Sequence, residues 1–142
     1  MPKSIDEVVR ALMSKGWRPN PPASSIQIIN LERHFGVLFP HDFREFFGIS
    51  NGGGPRAAIS YRGLMNLAEL PLFNQQYRVP QNFPGLVAFA NEGFLVYAFD
   101  FRGESAVVSS LGLSSSLWDD VVQESASFAE WLEEGLAGYG RG

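Results

Sequence analysis

The hydrophobic period changes from helical to strand-like at Asn51-Gly52-Gly53-Gly54-Pro55, and that change most constrains the fold. Before it, apolar residues recur at the i, i+3, i+4 spacing of amphipathic helices. After it they alternate or run continuously, as in half-buried and buried strands. Neither an all-helical nor an all-strand architecture accommodates both halves. The expectation is an α+β domain: N-terminal helices, an antiparallel or mixed β-sheet meander, and a C-terminal helix. At 142 residues the chain fits one domain, since domains commonly hold roughly 100–200 residues. The single domain is placed over 1–142.

Local signals set the elements. Ser4-Ile5-Asp6-Glu7 is a capping box that opens a first helix with Ile5, Val8, Val9 and Leu12 on one face. Gly16 stops it, and Trp17-Arg18-Pro19-Asn20-Pro21-Pro22 is a stiff connector. Ser24 or Ser25 caps a second helix carrying Ile28, Leu31 and Phe35, with Ile26 and Ile29 widening its stripe; Gly36 ends it. A third starts near Pro40, with Asp42 in its first turn and Phe43, Phe46 and Phe47 as its apolar stripe. Ala57–Tyr61 reads as a strand, Leu64–Leu70 as ambiguous, and Pro71–Pro84 as loop. Leu86–Ala90 is a strand, Asn91-Glu92-Gly93 a hairpin connection, Phe94–Phe99 a central strand and Glu104–Ser109 its return. Ser110–Ser116 reads as loop and Leu117–Ala126 stays open between strand and helix. A second capping box, Ser127-Phe128-Ala129-Glu130, starts a helix with Phe128, Trp131, Leu132 and Leu136, and Gly138–Gly142 is a frayed tail.

The pattern Ile28-x-x-Leu31-Glu32-x-x-Phe35-Gly36-x-x-Phe39-Pro40-x-Asp42-Phe43-x-x-Phe46, closing in Asn51-Gly52-Gly53, resembles the SUKH superfamily. The proline-led strand Pro84–Ala90, the apolar strand ending in Phe99-Asp100, and Ser127-Phe128 with Trp131-Leu132 agree with it. The resemblance runs from about Ser24 to Leu136. The usual Leu-Pro of the family is Phe39-Pro40 in this chain. The resemblance implies a compact α+β fold and a non-enzymatic binding role. Many bacterial members resemble immunity proteins that neutralise toxins, often nucleases; a fungal cell-wall-assembly regulator gives the group its name.

The chemistry-bearing residues point the same way. There is no cysteine, which removes disulfides, thiolate ligands and cysteine nucleophiles. His34 and His41 have neither a sequence-near nucleophile nor a metal-ligand spacing, so both are read as structural or solvated, with no catalytic residue and no metal. No cofactor is expected. The Asn51–Gly54 run lacks the lysine of a phosphate loop and follows a helix, so it reads as a left-handed cap and reversal. With its neighbour Arg56 it could instead form a binding rim. Glu32 is expected in a structural hydrogen bond.

Net charge is −4, but it is not spread evenly. From Asp119 onward six acids (Asp119, Asp120, Glu124, Glu130, Glu133, Glu134) face the single base Arg141, a balance of −5 that leaves +1 for the rest. These six are candidate partner-binding residues for a basic toxin, because complementary charge steers encounter. Trp17 and Trp118, beside loops, are candidate aromatic anchors. Trp131 is assigned to the core. Asn74-Gln75-Gln76-Tyr77-Arg78 is read as a mobile polar loop. An acidic chain without a basic face argues against nucleic acid, and no apolar run spans a membrane. The expectation is a cytoplasmic bacterial protein, a monomer or weak homodimer, whose partner is a protein, a cognate toxin domain. A regulatory interaction module is the alternative, and a small ligand-binding or hydrolytic domain a second.

Overall fold

Ser4 opens α1 (Ile5–Ser14) by the reciprocal capping box: its Oγ accepts the Glu7 N–H and the Glu7 carboxylate accepts the Ser4 N–H. The computed structural model describes residues 3–53 and 61–139. Ile5, Val8, Val9 and Leu12 are buried, as their spacing predicts. Gly16 turns left-handed (φ +96°), so the Trp17 N–H returns to the Leu12 carbonyl. Ser24 caps α2 (Ser25–Phe35) in the same reciprocal way with Gln27. Ile28 and Leu31 are buried, but Ile26 (69% exposed) and Ile29 (42%) are not. The expected widening of the stripe fails because two residues along a helix exceed half a turn, which puts Ile26 on the side opposite Ile28.

Helix α3 (His41–Phe47) buries Phe43, Phe46 and Phe47 completely. Phe43 contacts Phe47, Phe89, Phe99 and Phe128 at ring-centroid distances of 4.3, 6.3, 5.2 and 5.2 Å. Much of the chain's heavy phenylalanine load, 12 residues, therefore forms one nucleus between α3, the sheet and the last helix. The C-cap of α3 is Gly48 in right-handed geometry. The left-handed residue is Gly52 (φ +88°), four residues later, so the expected left-handed cap is instead a reversal beyond the helix. A Cβ at Gly52 would sit 2.9 Å from the Asn66 nitrogen.

Of the strand expected at Ala57–Tyr61, all but Tyr61 lies outside the described residues, as do Gly54, Pro55 and Arg56. Tyr61 itself begins a 3-10 turn, Tyr61–Gly63. The loop expected at Pro71–Pro84 is helical: α4 (Glu69–Gln76) and α5 (Val79–Asn82). Pro71 and Pro80 sit in first turns, where a missing N–H costs no helix bond.

The sheet holds β1 (Leu86–Glu92), β2 (Leu95–Asp100), β3 (Val107–Gly112) and β4 (Val122–Ser125), ordered β1-β2-β3-β4 and antiparallel at every described pairing. Gly93 (φ +63°) and Phe94 form the two-residue β1–β2 link. The returning strand starts three residues later than expected and absorbs Ser110, which pairs with Tyr97. Leu117–Ala126 resolves into a 3-10 turn (Trp118–Asp120) followed by β4. Helix α6 (Phe128–Glu134) covers one sheet face with Phe128, Trp131 and Leu132. Its capping box is half made: Ser127 Oγ accepts the Glu130 N–H, but the Glu130 carboxylate accepts from Ala126 rather than Ser127. Leu136, expected on this helix, instead begins a 3-10 turn, Leu136–Gly138; of the expected tail Gly138–Gly142, Tyr139 packs edge-on against Tyr61 and residues 140–142 lie outside the description. No helix among the described residues is long and apolar enough to cross a membrane.

Candidate interaction surface

Most of the buried polar groups hold the chain together; the indole N–H groups of Trp17 and Trp131 have no hydrogen-bond partner among the described residues. Glu32, 6% exposed, accepts the Phe39 N–H at 2.8 Å and the Arg44 guanidinium at 2.6 and 3.0 Å. One carboxylate thus pins the bridge between α2 and α3, which is the structural hydrogen bond expected of it. Ser50 Oγ accepts the Asn20 N–H and donates to the Gly52 carbonyl, each at 2.9 Å. Asn20 Nδ2 donates to the carbonyls of Asn51 and Gly53, and Asn51 Oδ1 accepts the Leu67 N–H. The Asn-Gly-Gly stretch is therefore a clasp between the proline connector and the segment before α4.

A second polar group joins the start of the 3-10 turn to α6. The Tyr61 hydroxyl donates to the Leu132 carbonyl, and burial pushes its pKa well up. Arg62, itself left-handed (φ +51°), donates to the Trp131 carbonyl and lies over the rings of Trp131 and Tyr97 at 4.4 and 5.0 Å. Sequence reasoning missed both, since nothing local marks them.

The two tryptophans singled out as anchors are tied down. Trp17 is 2% exposed and faces Phe46 at 6.1 Å, because Gly16 folds the connector back under α1; it is core and not an anchor. Trp118 is 37% exposed, but the Arg102 guanidinium covers its ring at 3.9 Å and Phe83 meets it edge-on at 5.0 Å. Arg102 is held there by Asp100 (2.7 Å), and hydrogen bonds from the Arg102 side chain hold the Asp100 carboxyl below its usual range. Trp131 is fully buried, as assigned. Arg56 lies outside the described residues.

The six acids fall into two neighbouring groups and one outlier. Asp119 and Asp120 are exposed on the turn before β4, where Asp120 accepts from Ser115. Glu124 on β4 accepts from Ser110 at 2.7 Å; Glu134 accepts from Ser125, and Glu130 from the Ala126 N–H. Glu133 instead accepts the Lys3 N–H at the start of α1. Five of the six thus surround β4 and its flanking turns. Between Gly103 and Gly140 the sequence has no lysine, arginine or histidine. His34 and His41 are exposed, and among the described residues no group of three His, Cys, Asp or Glu side chains could hold a metal.

The sheet's two edges differ. The polar loop expected at Asn74–Arg78 is largely helix, and Asn74 is 2% exposed. Its amide accepts the Ala88 N–H at 2.8 Å and donates to the Ala88 carbonyl at 3.0 Å, replacing a neighbouring strand. Met65 N–H donates to the Phe89 carbonyl, and Leu64 bridges Ala90. Gly63 permits this approach, because a Cβ there would collide with the Asn91 carbonyl. At the other side, β4 pairs only with β3 among the described residues. Val122 (54%) and Leu117 (64%) are exposed beside it. A separate groove of about 530 Å³ runs along α2, lined by Ile29, Arg33, Val37 and Leu38 among others. Leu38 is 75% exposed, another feature the sequence reading did not single out.

No curated protein matches the chain. Residues 22–134 match a family, a span that starts before the α2 cap and ends with α6. That span includes the Leu31-Glu32 to Asn51-Gly52-Gly53 pattern whose Glu32 and Asn51 contacts organise the helical half, and the whole sheet. The chain belongs to the SMI1 / KNR4 family (SUKH-1).

Proposed function

We propose that this chain is a non-enzymatic protein-binding domain, a bacterial immunity protein that acts in the cytoplasm and neutralises a secreted toxin by covering its active site. The observation that carries the reading is the family match over residues 22–134. Two features of the molecule support it. Glu32, Ser50, Asn74, Asp100, Ser110 and Ser125, six of its buried or nearly buried polar side chains, each satisfy a backbone group or a neighbouring side chain. Five of the six late acids lie around β4 and its flanking turns, where their charge suits a basic partner such as a nuclease.

The test is binding to a toxin domain encoded beside this gene. The variant Asp119→Asn, Asp120→Asn, Glu124→Gln should lower the association rate by about tenfold at low salt and flatten its salt dependence. Association that is equally fast and equally salt-sensitive without these charges would refute the acidic surface as the binding face. A regulatory interaction module is the second reading. The exposed Ile26, Ile29 and Leu38 beside Arg33 favour it, because that apolar surface suits a different partner chemistry. Toxin-independent capture through Ile29→Glu-sensitive contacts would support that reading.

A further inference from the structure

We infer that the outer edge of β4 docks an extended, lysine- or arginine-bearing segment of a partner protein, which adds to the sheet as a fifth strand. The inference deepens the protein-binding reading and rests on it. A strand edge presents a row of unpaired backbone donors and acceptors, and β-strand addition is a common mode of peptide capture. Among the described residues, one edge of this sheet offers that row and the other does not. Asn74, Met65 and Leu64 satisfy or cover β1, whereas β4 has no partner beyond β3 among the described residues.

Side chains beside the open edge state what fits. Val122 and Leu117 are more than half exposed and give the incoming strand apolar area. Asp119, Asp120 and Glu124 supply charge of one sign, with no base in the sequence from Gly103 to Gly140 to neutralise it. Arg102, a cation beside Trp118, is paired with Asp100 and stacked on the Trp118 ring. This charge decides between occupants. A second copy adding edge to edge would bring Glu124 and the two aspartates against their own kind, and like charges on paired strands destabilise. A basic strand turns the same charges into attraction.

The test uses the full chain and two short synthetic peptides, one alternating Lys and Val and the other alternating Glu and Val. Amide hydrogen exchange is read residue by residue. The Lys/Val peptide should slow exchange of outward-facing amides over 121–125 by about tenfold, leaving Ala88 unchanged, and the Glu/Val peptide should not. Val122→Lys and, separately, Glu124→Gln should each weaken the effect; thermal unfolding confirms that both variants are folded. Protection elsewhere than β4, equal protection by both peptides, or no protection by either would overturn the inference; the last would mean that this short, charged edge repels strands, as many natural edges do. A cognate toxin that binds without protecting β4 would sink the inference and spare the protein-binding reading. Failure to bind any toxin, with β4 still protected by the basic peptide, would do the reverse.

Discussion

The sheet ends in two edges treated in opposite ways. At β1 a buried asparagine amide stands in for a strand, and the Leu64–Met65 backbone completes the cover. At β4 the strand stops after four residues, bulged and bearing Glu124, with no partner on its outer side among the described residues. The difference is one of environment. The β1 edge faces α4 and α5 inside the fold, where an unpaired amide or carbonyl carries a full desolvation penalty. The β4 edge faces water, which satisfies its backbone until a partner displaces it.

The largest test of that contrast is Asn74→Ala. It strands the N–H and C=O of Ala88 in a buried site and should cost about 3 kcal/mol, read by chemical denaturation. A loss under about 0.5 kcal/mol would mean that water replaces the amide and that β1 is not closed in the sense argued. Native-state exchange compares the edges without mutation. The Ala88 amide should exchange near the limit of global unfolding, and the outward amides of β4 about a hundredfold faster. Equal rates would erase the contrast.

A smaller effect concerns the cation beside β4. Hydrogen bonds from Arg102 depress the Asp100 pKa below its ordinary value of 3.8. A depressed carboxyl contributes stability above its unfolded pKa and loses it as pH falls through the folded value. Asp100→Asn should therefore flatten the stability decline below about pH 3.8 while costing less than about 1 kcal/mol at neutral pH, since Arg102 is half in solvent. It should also loosen Arg102 from Trp118, which tryptophan fluorescence would report. The smallest effect is Val122→Lys, an exposed edge position that should shift stability by no more than about 0.5 kcal/mol. A large loss there would show that β4 is not an open edge.

The helical half was legible because its signals are local. Ser4 caps where its capping box says, Ser24 is one of the two serines offered as the second cap, and Phe43, Phe46 and Phe47 point inward together. The segment from Leu64 to Pro84 was not. In α4, Leu72 is exposed and Asn74 buried, so its pattern inverts the usual stripe. In β3, Ser110 is buried between neighbours that only the register identifies, and it reads as loop. The candidate site divided along the same line. Five of the six acids do surround β4, but Trp17 is core and Trp118 is covered by Phe83 and Arg102, contacts no spacing reveals.

By itself the sequence determined the α+β class, the family pattern around Glu32 and the segregation of acids after Gly103, since caps, periodicity and charge are written residue by residue. Only the tertiary structure decided which strand edge is closed, what covers each tryptophan and what Arg62 and Asn74 hold. Those outcomes depend on desolvation, and a group's exposure is set by residues far from it in the chain.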